Sequence, residues 1–261
     1  MSTESKEPVN REPPLKELIE HFITPVNEGY DRNHSGYPQI DGESHRVVVD
    51  GAVSNNLSLS KVDLQSLPQH VVVCALQCAG NRRHTMRTKI KEVSGVDWFD
   101  GAVMNCKWKG PLLCDVLDKA GISLPDEDRE SAHVAFASYE AECQDDSWYG
   151  ASISLDRATS REAEVILALE MNNEPLTISH GFPVRVVTPG IAGARSVKWL
   201  NQITVQKKES QNHYQQRDYK VLPPEATDAE SAEKYWDSTP AIMEMPVNSV
   251  IAWPETGSKV H

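Results

Sequence analysis

The chain has 261 residues, of which 39% are hydrophobic and 25% charged, so it can bury a sizeable core and is not a disordered polymer. The formal net charge of −12 argues against nucleic acid as a partner, because contacts to phosphate need a basic face. Five cysteines in so long a chain are too few for a disulfide framework. Without a signal-peptide pattern or an apolar run of about 18 residues, we expect a soluble intracellular protein with reduced thiols and no membrane partner.

The first part of the chain is predicted to be a lead followed by alternating loops and strands. Residues 1–25 are expected to form a disordered or extended lead, because the first fourteen are polar and include three prolines. Residues 30–34 lie among glycine, serine and proline and are predicted to be a loop. Arg46–Gly51 has the β-branched run of a strand. Ser60, with Asp63 three residues later, predicts the capped start of a short helix.

Cys78 ends a predicted buried strand over residues 71–78 and is followed by a loop at Gly80 that carries Arg82 and Arg83. Neighbouring arginines favour the thiolate, which is the form that binds metals and attacks electrophiles. A soft thiolate beside an anion-binding arginine pair indicates a transition-metal centre that handles an oxyanion. A cysteine at a strand end is, however, more often a small buried apolar residue. The residues alone leave both interpretations open.

The second half of the chain predicts a helix and two further strands. An amphipathic helix is expected to follow a turn at residues 108–111, to carry Asp115 in its first turns and to end at Gly121. The helix dipole favours a carboxylate in the first turn, so a purely structural role for Asp115 is as plausible as a role in binding. Residues 133–138 and 165–171 are predicted strands, and residues 172–175 a turn that opens a hairpin.

A glycine-rich block over residues 180–200 has the composition of an anion-binding loop. Glycines let a backbone approach a ligand closely, and their exposed N–H groups form anion-binding concavities. Nearby cations supply charge for a phosphate. The block contains these glycines and cations: Gly181, Gly190, Gly193, Arg185, Arg195 and Lys198.

Three stretches resemble one family. The string Cys78-Ala79-Gly80-Asn81-Arg82-Arg83 resembles the signature of the sulfite oxidase family of molybdenum-cofactor enzymes, as do the glycine-rich block and the string Asp218-Tyr219-Lys220. The resemblance implies an α+β fold, a mixed-sheet molybdenum-cofactor (molybdopterin) domain over residues 26–222. It implies oxidation of sulfite to sulfate at a molybdenum–pterin centre whose single protein ligand is Cys78. Electrons would pass to a separate acceptor, a cytochrome or dioxygen, because no haem or flavin module is expected in this chain.

The resemblance also assigns the individual site residues. Arg32, Arg83 and Tyr219 are implied to be catalytic. The substrate pocket would be formed by Arg32, Arg83, Trp98, Tyr219 and Lys220. The residues implied to bind the cofactor are Arg32, Asn33, His34, Cys78, Asp115, His180, Arg185, Ser196, Val197 and Lys198.

Beyond the cofactor domain, residues 223–239 are expected to be a linker. Residues 240–261 resemble only the first strand of the immunoglobulin-like dimerisation domain that follows in this family, so the family's homodimer is doubtful for this chain. Two alternatives remain open: a nitrate-reducing relative, against which Tyr219 and Lys220 count, and a non-catalytic cofactor-binding protein. The sequence does not distinguish cytoplasm, mitochondrion and peroxisome.

Overall fold

The structure, a computed structural model, describes residues 7–254 and 257–259. The strands in these residues are β1 Arg46–Gly51, β2 Leu57–Ser60, β3 Gln69–Gln77, β4 Val103–Pro111, β5 His133–Ser138, β6 Tyr149–Ser154, β7 Ile166–Ala168, β8 Glu170–Met171, β9 Glu174–Pro175, β10 Arg185–Val187 and β11 Gln202–Gln206. The helices are α1 Leu15–Leu18, α2 Lys61–Ser66, α3 Arg83–Lys89, α4 Leu113–Ala120, α5 Asp126–Arg129, α6 Leu155–Thr159, α7 His213–Gln216 and α8 Ala229–Ala232. Among the described residues, no helix is both long and apolar enough to cross a bilayer.

The strands form two larger sheets and one small pair. A five-stranded sheet has the order β2-β1-β11-β5-β6, in which β1 and β11 run parallel and the other neighbours antiparallel. A four-stranded antiparallel sheet has the order β3-β4-β8-β9, and β7 pairs with β10. Mixed sheets with short helices around them are the α+β class that the resemblance implied.

Helix α4 packs on the five-stranded sheet and shows how the first core forms. Its apolar residues recur at helical spacing, and Leu113, Val116 and Leu117 are fully buried against the strands. Gly121 ends the helix with a φ of +71°, a conformation that glycine adopts without strain. The predicted helix and its end are confirmed. The preceding residues 108–111 were expected to form a turn. They form the end of β4 instead, where they pair with β3.

The second core surrounds the end of β3 and positions Cys78. The long β3–β4 hairpin buries Leu76 and Trp108, and the Cys78 N–H then donates to the Ala102 carbonyl (2.9 Å). This bond fixes the point where the strand stops. The predicted strand over residues 165–171 is divided in two: β7 pairs with β10, whereas β8 pairs with β4 and β9.

Both terminal segments pack against loops of the domain. Arg11 and Asp31 form a reciprocal backbone bridge (2.8 and 2.9 Å), so the lead is extended and packed on the domain over its described residues. At the other end, residues 241–245 form isolated bridges to Lys220 and Ile191 rather than a continuous strand. Residues 223–239, the expected linker, contain α8 and a 3-10 turn.

Candidate active site

A cavity with about 700 Å³ of empty space, including its open mouth, lies beside the second core. The loop before β1, the end of β3 and the loops around β10 contribute most of its wall, so residues distant in sequence meet there. Nine of the residues predicted from sequence line it: Arg32, Asn33, His34, Cys78, His180, Arg185, Ser196, Lys198 and Tyr219. Ala79 and Gly193, from the cysteine string and the glycine-rich block, also line it. Sequence reasoning did not assign the others to the site: Tyr30, Ser35, Met104, Cys143, Tyr149, Ala194 and Trp199.

Cys78 is 4% exposed and faces the cavity from the end of β3. Burial raises the pKa of the thiol. The Gly80 N–H, the guanidinium groups of Arg32 and Arg83 and the indole of Trp98 all act in the opposite direction. A buried sulfur surrounded by hydrogen-bond donors and cations is suited to binding a metal as the thiolate, because the bound cation removes the cost of burying the charge.

Arg83 and Trp98 support the Cys78 loop from behind and do not line the cavity. The Arg83 guanidinium donates to the Val96 carbonyl (2.5 Å) and fills space that a side chain at Gly80 or Gly95 would occupy. Trp98 is 2% exposed, and its indole acts on the Cys78 sulfur. The prediction that both residues face a substrate therefore does not match their positions. They contribute charge and dipole to the sulfur instead.

Lys220 also points elsewhere. Its ammonium group donates to the Trp236 carbonyl (2.6 Å), and the residue does not line the cavity. Its predicted role in binding substrate is not supported by this geometry. This hydrogen bond connects the segment after Tyr219 to the residue that follows the 3-10 turn Glu233–Tyr235. The long, flexible side chain of lysine can reach such a carbonyl outside the cavity.

Three polar groups at the cavity wall are joined in series. The Arg32 guanidinium donates to Nδ1 of His34 (3.1 Å), and Nε2 of His34 lies 2.6 Å from the Tyr219 hydroxyl. Burial, the main cause, lowers the pKa of His34 to about 2, and the Arg32 charge adds to the effect. The pKa of Tyr219 is raised well above its ordinary value, chiefly by burial. The imidazole is therefore neutral and the phenol protonated at physiological pH.

Two buried cations lie in the part of the wall that the glycine-rich block supplies. The Arg185 guanidinium donates to the carbonyls of His180 (3.1 Å) and Ser196 (3.0 Å). The Lys198 ammonium donates to the Ser179 carbonyl (2.9 Å) and to the Asn33 side chain. Burial lowers the pKa of Arg185 to about 10 and that of Lys198 to about 7. Neither cation has a carboxylate partner in the described ion pairs. An anionic group bound there would stabilise both charges.

Val197 and Asp115 lie away from the cavity lining. Val197 is 1% exposed and packs in the first core, so it can act only through its backbone. Asp115 forms an ion pair with the exposed Arg161. The reason is the orientation of α4, whose apolar face points into the sheet and turns Asp115 to the outside. Its predicted contact with a pterin is not supported by this position.

The N-terminal lead, at residues 9–13, holds two of the loops around the site. The Asn10 carboxamide accepts from the Arg32 guanidinium (3.3 Å) and from the Asn33 N–H (3.2 Å). The Glu12 carboxylate accepts from the backbone N–H groups of Phe99 (2.6 Å) and Gly101 (2.8 Å). Composition favours disorder for this segment, but the backbone donors of the two loops need acceptors that the lead provides.

Replacing Glu12 by alanine is expected to lower the free energy of unfolding by about 1–3 kcal/mol, because two backbone donors lose a charged acceptor. Glu12→Gln keeps one acceptor oxygen and should lose roughly half as much. Denaturant unfolding measures both. The matched control is Glu20→Ala, an exposed residue of the same lead. Equal stability of Glu12→Ala and the control would show that the lead does not hold these loops.

Comparison with known proteins identifies the class of this fold and site. The model of the oxidoreductase molybdopterin binding domain family matches residues 34–214, and the chain belongs to this family. Its relatives at 42–46% identity are sulfite oxidases, and a nitrate reductase of Ulva prolifera also matches, at 37% identity over 95% of this chain and 29% of the relative. The chain is 46% identical to the mitochondrial sulfite oxidase of Homo sapiens, over 100% of this chain and 47% of the relative. It is 42% identical to the sulfite oxidase of Arabidopsis thaliana, over 96% of this chain and 64% of the relative.

A solved structure agrees with the fold. The sulfane dehydrogenase SoxCD from Paracoccus pantotrophus superposes with a TM-score of 0.75 at 25% sequence identity, covering 97% of this chain and 58% of that chain. The α+β, mixed-sheet fold expected from the sequence is thereby confirmed. The chain spans about half the length of the human relative and 64% of the plant relative.

The residues of the cavity fit a molybdenum–pterin cofactor. Cys78 offers a soft sulfur ligand, as a molybdenum centre requires. Arg185 and Lys198 offer the charge that a terminal phosphate needs. Gly193 lets its loop pack closely against the end of β3, since a Cβ there would lie 2.5 Å from the Tyr30 hydroxyl and 3.0 Å from the Gln77 carbonyl. The sulfur and the cations are thus present on the wall of one cavity.

Asp115→Asn is expected to leave the molybdenum and pterin content of the purified protein unchanged, because Asp115 pairs with Arg161 outside the cavity. Lys198→Met, by contrast, should lower pterin content, because it removes a buried cation from the wall. Elemental analysis and pterin fluorescence measure both variants side by side. Loss of pterin from Asp115→Asn alone would restore the role that the sequence resemblance implied.

Proposed function

We propose that this chain carries a molybdenum-cofactor centre that oxidises sulfite to sulfate. The observation that supports this most is the meeting of a thiol, a guanidinium and a phenol on one cavity wall: Cys78, Arg32 and Tyr219. The sulfite oxidase relatives align with 96–100% of the chain. The overall reaction is SO₃²⁻ + H₂O → SO₄²⁻ + 2 e⁻ + 2 H⁺.

When bound, the molybdenum cofactor supplies the oxygen-atom transfer and takes up the two electrons. Cys78 would hold the metal through its sulfur. His180, Arg185, Ser196 and Lys198 would hold the pterin and its phosphate with hydrogen bonds and charge. The remaining steps depend on residues that bind and orient the anion.

Arg32 and Tyr219 are proposed to orient the substrate. The Arg32 guanidinium presents planar donors that match the oxygens of an oxyanion, and its partners already fix its direction. The Tyr219 hydroxyl stays protonated and can donate to one of those oxygens. Because the phenol is buried, the guanidinium is partly buried and both are held in advance by hydrogen bonds, they stabilise developing sulfate charge with little reorganisation.

The net charge of the molecule explains why an anionic substrate needs cationic side chains close to its binding site. A formal net charge of −12 repels an anion at long range. Arg32, Arg185 and Lys198 line the cavity and reverse the field there. Two protons and two electrons must leave, and we propose a separate acceptor, a cytochrome or dioxygen.

The decisive experiment is the sulfite-dependent reduction of an artificial one-electron acceptor by molybdenum-loaded protein, with nitrate-dependent oxidation of a reduced dye measured on the same sample. Sulfite turnover that exceeds nitrate turnover supports the proposal. The reverse order would indicate the nitrate-reducing alternative. A fully loaded sample that turns over neither anion would indicate a non-catalytic cofactor-binding protein.

A further inference from the structure

The side chains of Arg32, His34 and Tyr219, joined in series, lie in a closely packed environment. His34 and Tyr219 are 7% and 8% exposed, so water does not compete freely for their polar atoms. The His34 ring is held in place by aromatic neighbours, with ring centroids 3.9 Å from Tyr214 and 5.6 Å from Tyr149. Its orientation, and therefore which nitrogen meets which partner, is fixed by packing.

Hydrogen-bond chemistry determines the tautomer of this ring. A guanidinium has only donors, so Nδ1 of His34, 3.1 Å from the Arg32 Nη2 atom, must be the acceptor and carry no proton. The ring is neutral, because burial and then the charges of Arg32, His213 and Lys198 lower its pKa to about 2, with the Gln144 side chain acting less strongly in the other direction. The single ring proton is therefore on Nε2.

The tautomer in turn sets the direction of the Tyr219 hydroxyl. Nε2–H of His34 donates to the Tyr219 oxygen at 2.6 Å, so the phenolic proton cannot point back along the same line. The guanidinium groups of Arg32 and Arg195 cannot accept a proton either. Tyr149, Asp218 and Cys78 also act on Tyr219, but the recorded bond of the Asp218 carboxylate is to the Tyr219 backbone N–H (2.7 Å). Within the described residues, no acceptor is recorded for this O–H, and the residue lines the cavity. The proton is left to point into the cavity.

We propose that His34 is a positioning residue: locked by Arg32 in its Nε2–H form, it directs the Tyr219 hydroxyl proton toward an oxygen atom of the anion in the cavity. The inference deepens the proposed function and rests on it. It differs from the role in lining the pterin that the sequence resemblance implied for His34. It also couples the two substrate-orienting groups, since loss of the Arg32 donor would free the ring to adopt the other tautomer.

The tautomer can be observed without any turnover. In protein labelled with ¹⁵N-histidine, the His34 ring should show an unprotonated Nδ1 and a protonated Nε2, and neither shift should titrate between about pH 5 and about pH 9. The His34→Gln spectrum assigns the signals by their loss. A protonated Nδ1, or titration of His34 within this range, would overturn the proposal even if the enzyme oxidises sulfite.

Two amide substitutions separate direction from mere packing. The Gln side chain in His34→Gln can place an N–H near the position of Nε2, whereas the shorter side chain in His34→Asn reaches only the position of Nδ1. We expect His34→Gln to keep most of the kcat/KM for sulfite and His34→Asn to lose roughly tenfold to a hundredfold, with equal molybdenum content. Equal losses in both variants would overturn the directing role.

A double-mutant cycle completes the test. In a Tyr219→Phe background there is no hydroxyl to direct, so His34→Asn should add no further loss in kcat/KM. Additive losses would contradict the proposal. Wild-type protein that fails to oxidise sulfite although His34 shows the expected tautomer would refute the proposed function and this use of the hydroxyl, and would leave only the hydrogen-bond assignment standing.

Discussion

Sulfite turnover is expected to fall below detection when Cys78 is replaced by serine, whereas pterin should remain bound. The hydroxyl of serine is a hard, weakly acidic ligand and does not replace a thiolate at a soft metal site. The cations and hydrogen-bond donors proposed to hold the pterin come from other loops, so they are unaffected. Acceptor reduction measures the activity, and pterin fluorescence with elemental analysis measures the content.

The matched control for this variant is Cys74→Ser. Cys74 lies on β3 four residues earlier, is only partly buried and does not line the cavity. The control should retain turnover within about twofold, because a substitution outside the site changes stability rather than chemistry. Turnover by Cys78→Ser at a substantial fraction of the control's rate would contradict the assignment of the metal ligand.

Replacing Arg32 by glutamine is expected to lower the kcat/KM for sulfite by about a hundredfold, mainly through a higher KM. The variant loses charge-assisted hydrogen bonds to the anion, which are worth about 1.5–3 kcal/mol each. It also loses the donor that holds Nδ1 of His34 (3.1 Å). Arg32→Lys should recover only part of the loss, because an ammonium lacks the planar fork that binds two oxygens. Steady-state kinetics over a range of sulfite concentrations measures both variants.

Arg161→Gln serves as the control for this series. Its side chain is 63% exposed and pairs with Asp115 outside the cavity. Removing this charge should leave kcat/KM within about twofold, since single exposed ion pairs contribute little. If Arg32→Gln and Arg161→Gln had equal effects, general electrostatic attraction would explain the data, and Arg32 would not bind the substrate directly.

Local sequence signals identified the elements whose structure depends on neighbouring residues. Ser60 and Asp63 form the predicted capping box, and Gly121 ends the predicted helix with a positive φ. The expected hairpin forms, but its turn is residues 172–173, both asparagines at positive φ, and residues 174–175 are already strand β9. The position of Cys78 at a strand end also follows from the apolar run before it and the glycine after it. These features are encoded within a few residues of sequence.

Side-chain direction was not encoded in this way. Arg83, Asp115 and Lys220 were assigned to the site, yet each is bonded to a partner outside the cavity. A long cation takes whichever carbonyl or carboxylate the fold brings near, and a residue on a helix faces the side that the helix's apolar face leaves exposed. Cys143 reaches the cavity from a segment without any motif, so no local signal could have identified it.

The sequence by itself therefore determined the thiol at the strand end and the cations of the glycine-rich block, because these depend on residue type and short-range spacing. The class of protein came from the resemblance of these stretches to a known family. Only the tertiary structure decided that the N-terminal lead contacts Arg32. It alone also placed His34 between Arg32 and Tyr219, although His34 and Tyr219 are 185 residues apart in sequence. Burial sets the charge state of the imidazole, and hydrogen-bond direction sets its tautomer. The burial of His34 and its contact with Tyr219 arise between distant segments, whereas Arg32, which sets the tautomer, is only two residues away in sequence.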